Sequence, residues 1–312
     1  MVPEGLQIQW WEIPEHSNPR LKTELIRIRF IPPHQAVTGM AAGEGRAAAV
    51  VPAHVPVTAA HVPVPAADAD VRSGMIKLSA EKLHIRYKQQ AEWTRPFREY
   101  LFAKLQKCQD LNILEVGCGT GAVISDIKLE YADKINIITG VDIDYQSLLY
   151  AEHNKCTDLI QADGSYLPFA DSCFDLAFCH YLLLWVPDPS EILSEMKRVI
   201  KPGGICAAMA EPCYKEMTAS PRQLYALALR QQKELADSGA DINIGNKLPR
   251  IFEEAGFSEI EFGKYRDAEI DSAFIHTEIS QMLLDTGIKD FEPDPKVKYA
   301  YSVPTYFAFA GK

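Results

Sequence analysis

Twelve residues, "NILEVGCGTGAV" from Asn112 to Val123, carry the strongest signal in the chain. A short apolar run ends in three glycines at alternate positions, Gly117, Gly119 and Gly121, and apolar residues resume at helical spacing in "AVISDIKLEYA". That order reads as strand, turn, helix. A glycine-rich turn of this kind, at the carboxyl edge of a parallel sheet, is a site for a nucleotide-class ligand. A dinucleotide fold calls for G-x-G-x-x-G, which lets the helix N-terminus take a pyrophosphate. Here the third glycine arrives one residue early. An acid, Glu115, also stands ahead of the turn and suits a ligand with a cationic amino group and no phosphate.

Outward from the turn, strands and helices alternate. "INIITGVDI", "DLIQAD", "FDLAFCH" and "ICAAMAE" read as strands. "YQSLLYAEHN" reads as a helix, as does "PSEILSEMKRVI", which Pro202-Gly203-Gly204 stops. Such alternation predicts a parallel sheet with helices on both faces. A long helical insertion, "SPRQLYALALRQQKELADSG", precedes the helix "LPRIFEEAGF" and the strand "EIEFGKY", and the chain closes on the helical "SAFIHTEISQMLL" and the alternating strand "TYFAFAG".

Upstream the texture changes. Residues 1–31 hold two alternating runs, "LQIQWWEI" and "LIRIRFI", and read as a hairpin-like appendage too small for a core of its own. Residues 32–74, with "AHVPV" twice, read as an Ala/Pro/Val-rich linker. The main domain is expected over 75–312. His54 and His61 lack further ligands, so no metal site is expected.

Composition narrows the function. The chain has 312 residues, 47% hydrophobic and 24% charged, as in an ordinary globular protein. A net charge of -10 without a basic stripe gives no footprint for nucleic acid. The seven cysteines form no CxxC and read as small buried hydrophobes in a reducing compartment. No apolar run approaches the roughly 20 residues that cross a bilayer. The expected location is cytoplasmic, with no membrane association; the oligomeric state is open.

E-x-G-x-G-x-G resembles motif I of the class I S-adenosylmethionine (SAM)-dependent methyltransferases, and later motifs follow in order: "GVDID", "QADGSYLPF", "FDLAFCHYLLLWVPDP" and "RVIKPGG". The resemblance covers about residues 83 to 312 and is close to the UbiE/COQ5-like, or methyltransferase type 11, small-molecule branch. It implies an α/β Rossmann-like three-layer sandwich. The sheet would be seven-stranded and mostly parallel, with the last strand antiparallel, and here it carries an N-terminal extension. SAM is the implied cofactor. By the resemblance Glu115, Gly117, Cys118, Gly119 and Gly121 surround it. Asp142 holds the ribose and Ile143 packs on the adenine. Asp163, beside Ala162 and Gly164, accepts from the adenine amino group, and Cys179 lies at the end of the fourth strand. Tyr87 and Gln90 belong to an N-terminal helix that, in relatives, closes over the methionine end.

The implied reaction is in-line methyl displacement to the O, N or C of a small-molecule acceptor in a desolvated pocket, where alignment matters more than acid–base groups. His180 is the candidate catalytic base, with a hydrogen-bonded scaffold role as its alternative. Glu211, Tyr214 and the run Leu182–Trp185 are candidate acceptor-pocket residues. The lid insertion, about 212–245, carries an apolar face at Leu224, Leu227, Ala228 and Leu235 that hints at a partly hydrophobic acceptor. The chain lacks the Asp/Asn-Pro-Pro-aromatic motif of base amino-group methylation, and Tyr181 stands where arsenite methyltransferases place a thiol. Two rivals remain: a non-catalytic SAM-binding sensor or scaffold module, and a NAD-dependent oxidoreductase.

Overall fold

The computed structural model describes residues 6–12, 23–30, 79–105, 109–265, 272–289, 291–294 and 296–312. The linker with His54 and His61, and Cys108, lie outside the described residues. In chain order the elements begin with β1 (Leu6–Glu12), β2 (Thr23–Phe30) and α1 (Ala80–Lys104). The glycine turn joins β3 (Leu111–Val116) to α2 (Ala122–Tyr131); β4 (Ile135–Asp142), α3 (Tyr145–His153) and β5 (Leu159–Gln161) follow. Next come β6 (Phe174–Cys179), α4 (Pro189–Val199), β7 (Ile200–Pro212), β8 (Thr218–Ser220), α5 (Arg222–Asp237) and α6 (Leu248–Glu254). The chain ends with β9 (Glu259–Tyr265), α7 (Ser272–Thr286), β10 (Ala300–Ser302) and β11 (Thr305–Gly311).

One sheet runs β1-β2-β9-β11-β7-β6-β3-β4-β5. From β7 to β5 every pairing is parallel, and β11 is antiparallel to both β7 and β9. The expected seven-stranded, mostly parallel sheet is therefore present. The N-terminal hairpin lengthens it: β1 pairs antiparallel with β2, and β2 with β9. β8 and β10 form a separate antiparallel pair.

Period-two alternation assigns the strand residues to two cores. Ile113, Leu176, Phe178, Ala207 and Phe309 face α1, α2 and α3, while Leu114, Val116, Ala177, Cys206 and Ala308 face α4 and α6. α1 docks through Phe97 and Leu101, both essentially fully buried, with Phe97 4.1 Å from Phe307 between ring centroids. Each burial of that kind is worth about 1.5–3 kcal/mol. Local chemistry sets the helix starts: the Asp188 carboxylate accepts from the N–H groups of Ser190 and Glu191 with Pro189 in the first turn, and Asp144 accepts from Gln146.

Two expectations change. Pro202-Gly203-Gly204 does not end α4, which stops at Val199; it lies inside β7, where Gly203 N–H donates to Lys312 O at 3.1 Å. The apolar face of α5 is not offered to an acceptor. Leu224, Leu227 and Ala228 pack against Ile275, Ile279 and Met282 of α7, and Leu235 joins the main core, because α7 supplies a matching apolar stripe.

Candidate active site

The turn after β3 is held open by its own backbone. Gly117, Gly119 and Gly121 all lie in the left-handed region, at φ 75°, 51° and 72°. The space beside each is taken. A Cβ on Gly117 would stand 2.7 Å from Leu182 Cδ1, one on Gly119 3.1 Å from Tyr87 Cε2, and one on Gly121 2.6 Å from Cys156 Sγ. The turn is sewn to the end of β4: Gly117 and Cys118 donate to Val141 O at 2.7 and 3.0 Å, and Gly119 N–H donates to Asp142 Oδ2 at 2.7 Å. Asp142 Oδ1 accepts from Asp144 N–H at 2.8 Å. The carboxylate expected at the ribose thus also fixes the turn on one side and the α3 start on the other.

Glu115 is 2% exposed. Burial pushes its pKa well up, opposed by the Arg98 guanidinium and reinforced by Asp142. Its Oε2 has no hydrogen-bond partner, and neither has Nε of the fully buried Arg98. A carboxylate oxygen and a guanidinium N–H left unpaired near one turn suit a ligand that carries an ammonium and a carboxylate, which is the amino-acid end of SAM. The residues present therefore fit that cofactor.

α1 reaches the turn along one face. His84 Nδ1 lies 3.0 Å from Thr120 Oγ1, and the Tyr87 ring covers Gly119. Arg98 donates to Ala91 O (2.6 Å), Thr94 Oγ1 (2.8 Å) and Asp126 Oδ2 (3.1 Å). The spacing 84, 87, 91, 94, 98 is a single helical stripe. Gln90 and Trp93 flank it and are partly buried.

His180 follows β6. Its Nε2 lies 3.2 Å from Thr94 Oγ1. Because Thr94 donates to Ala91 O and accepts from Arg98, Nε2 is the protonated nitrogen and Nδ1 keeps the lone pair. Burial, then the Arg98 charge, lowers the imidazole pKa to about 3.

The remaining expected residues fall into two groups. Ile143 is 45% exposed at the mouth of β4, an apolar surface free for a planar ring. Asp163 is exposed, with Oδ1 accepting from Ser165 N–H at 2.9 Å, next to buried Ala162. By contrast Cys118 Sγ turns inward, 2.7 Å from where a Gly140 Cβ would be, and Cys179 is fully buried, so only their backbones face the site. Gly164 is bare for packing: a Cβ there would meet Val116 and Ile192 at 2.8 and 2.9 Å.

Glu211 does not line an acceptor pocket. It is fully buried and accepts from the N–H groups of Leu182, Leu183 and Leu184 at 3.1, 2.9 and 3.2 Å. It caps the turn that holds Leu182 under Gly117. Leu183 and Leu184 go to the core. Among the described residues no group of His, Cys, Asp and Glu could hold a metal, and no helix is long and apolar enough to cross a membrane.

A left-handed glycine turn, an acid before it, an acid ending the next strand and a helix lying over the turn from the N-terminal side are the arrangement expected of a class I SAM-dependent methyltransferase. Comparison with known proteins agrees: residues 114–208 match the family model described as a methyltransferase domain. Over that segment the chain is similar to methyltransferases, and its relatives include the following. It is 27% identical over 209 residues to the demethylmenaquinone methyltransferase of Lactococcus lactis, covering 61% of this chain and 81% of the relative. It is 26% identical over 198 residues to the malonyl-[acyl-carrier protein] O-methyltransferase of Buchnera aphidicola, covering 62% and 78%. Among solved structures, phosphoethanolamine N-methyltransferase 2 of Haemonchus contortus with S-adenosyl-L-methionine aligns at 15% identity and a TM-score of 0.44, over 69% of this chain and 52% of that one. The matched domain and the relatives named are methyltransferases, and the residues around the turn suit SAM as the methyl donor.

Proposed function

We propose that the chain methylates a small organic acceptor, in the cytoplasm and without nucleic acid as substrate. The two relatives named above carry different acceptors in their names, a demethylmenaquinone and a malonyl-acyl carrier protein. Likeness supports the reaction class and does not select an acceptor. The six described cysteines are free, which suits a reducing compartment.

SAM supplies a methyl group already activated on a sulfonium. What this chain supplies is alignment and a dry setting. In this reading Glu115 and Arg98 hold the amino-acid end, and Gly117, Cys118, Gly119 and Gly121 present bare backbone. Asp142 holds the ribose, and Ile143, Ala162, Asp163 and Gly164 bracket the adenine. Tyr87 and Gln90 close over the methionine end, and the backbone of Cys179 borders it. His180 stands at the methyl end as a neutral, fixed imidazole. A base whose conjugate acid has a pKa of about 3 holds an abstracted proton poorly. Its role here is to position groups through Thr94.

One observation carries the reading: a left-handed glycine turn tied to Asp142, with the unpaired Glu115 Oε2 close by. Thermal unfolding with added ligands tests it. S-adenosylhomocysteine should raise the melting temperature and NADH should not; a rise with NADH alone would revive an oxidoreductase.

A further inference from the structure

Beside the cofactor turn lies a second set of polar side chains that the cofactor does not use. Arg86 precedes Tyr87 on α1, Glu278 and Asp285 come from α7, Tyr181 follows His180, Tyr214 follows β7, and Tyr301 lies on β10. The charges of Arg86 and Glu278 reach all three tyrosines, so the set is one cluster. Several segments far apart in sequence converge there, at the carboxyl side of the sheet and under the α5–α7 layer.

The hydrogen bonding is uneven. Asp285 is satisfied, accepting from Gln231 and Gln281 at 2.7 and 2.6 Å, and pairs with Arg86 at 3.9 Å. Arg86 and Asp285 thus balance each other. Glu278 is left over: it is 8% exposed and has no hydrogen bond or ion pair among the described residues. Two atoms on adjacent turns of α1, Arg86 Nε and Gln89 Oε1, are also buried without partners. A largely buried carboxylate without a partner is disfavoured unless it is protonated or a ligand supplies a partner. Burial does push the Glu278 pKa up, against the pull of Arg86.

The tyrosines tell which partner. Tyr181 is held in the left-handed region, at φ 52°, by its N–H donating to Ala210 O at 2.9 Å and its hydroxyl lying 3.2 Å from Thr305 Oγ1. A non-glycine residue in that conformation is strained, and strain of that kind clusters at active sites and ligand clamps. Aromatic rings around a carboxylate attract a cation by the ring faces and by charge together, and repel an anion. One cation set against two carboxylates leaves the cluster short of a positive charge.

We propose that Glu278, with Tyr181, Tyr214 and Tyr301, forms the acceptor subsite of this methyltransferase and receives an organic amine as its ammonium ion. The proposal rests on the methyltransferase reading above and deepens it. The ammonium proton passes to the Glu278 carboxylate, freeing the nitrogen lone pair. That nitrogen forms the N–C bond as the sulfonium C–S bond breaks, with the C–S electron pair remaining on sulfur. The products are a methylammonium and S-adenosylhomocysteine, and the proton on Glu278 leaves with turnover.

Calorimetric titration of the full chain tests this in two stages. S-adenosylhomocysteine is titrated first, which reports on the methyltransferase reading alone. Into the saturated protein go n-butylamine, n-butanol and butanoate, then benzylamine, benzyl alcohol and benzoate. At least one amine should bind about tenfold or more tighter than its alcohol and carboxylate counterparts. Glu278→Gln should lose that preference while keeping its affinity for S-adenosylhomocysteine. Relieved of an unpaired carboxylate, the same variant should also melt about 2–4 °C higher. Equal binding across each series, no amine binding, or a Glu278→Gln variant that melts lower and still prefers amines would overturn the proposal.

Discussion

Gly119 donates its backbone N–H to Asp142 Oδ2 at 2.7 Å, so the residue that bares the turn and the acid that ends the next strand are one unit. Neither strand end is placed without the other. The ligand site is built before a ligand arrives, which lowers the ordering cost of binding.

Gly121 tests how much of that unit is backbone. At φ 72°, with Cys156 Sγ 2.6 Å from the position of a Cβ, alanine there is both strained and crowded. Gly121→Ala should lose about 2–4 kcal/mol in denaturant unfolding. Adding Cys156→Gly should restore only part of it, since the sulfur is removed and the positive φ is not. Full restoration would mean that φ contributes nothing.

Glu211 gives a pH signature. Its folded pKa is pushed up to about 8 by burial, against an ordinary 4.5, while three backbone N–H groups pull it down. The folded state therefore binds the proton more tightly than the unfolded one. That contribution is complete below about pH 4.5 and is lost as pH rises through 8, on the order of a few kcal/mol. Glu211→Gln, which cannot ionise, should flatten the decline between pH 5 and 9 in urea unfolding. An unchanged slope would show that the group titrates normally.

His180 has the opposite sign. With a pKa of about 3 in the fold against 6.5 unfolded, its neutral form stabilises the protein fully above pH 6.5, and that stability is lost as pH falls toward 3. His180→Asn should reduce this acid-side loss and keep S-adenosylhomocysteine binding. If His180 only positions groups, methyl transfer should fall by about tenfold or less. A fall of about a thousandfold, with binding intact, would make it the base after all.

Arg98 ties α1 to the site, so Arg98→Met should cost more than a surface change. It removes the guanidinium bonds to Asp126, Thr94 and Ala91 O, of which Asp126 keeps only the longer Arg95 pair, and takes the Arg98 charge away from Glu115. A loss of about 3–5 kcal/mol in unfolding is expected, with weaker S-adenosylhomocysteine binding. Unchanged binding would remove Arg98 from the cofactor site.

The parts legible in the sequence obey local rules. The glycine turn, Glu115 and Asp142 follow from strand period and from spacing along one βαβ unit. Other parts depend on which way a side chain leaves the backbone. Cys118 and Cys179 stand at the expected positions, yet their thiols enter the core. Gly164 is bare because Val116 and Ile192 crowd it. The stripe of α1 that meets the turn is His84, Tyr87, Ala91, Thr94 and Arg98; its 3.5-residue spacing is present in the sequence, but its polar members hide it from an apolar-period reading. Arg86 and Glu278 are far apart in sequence and meet only through the tertiary fold. β8 and β10, three residues each, are too short to show a period.

The most direct test of the central claim is calorimetric titration of the full chain with S-adenosylhomocysteine, beside Asp142→Ala. Binding should be saturable and one-to-one, and weakened about 10- to 100-fold by the substitution, as loss of charged hydrogen bonds to the ligand and to Gly119 requires. No binding to the unaltered chain, or equal binding by both proteins, would contradict it.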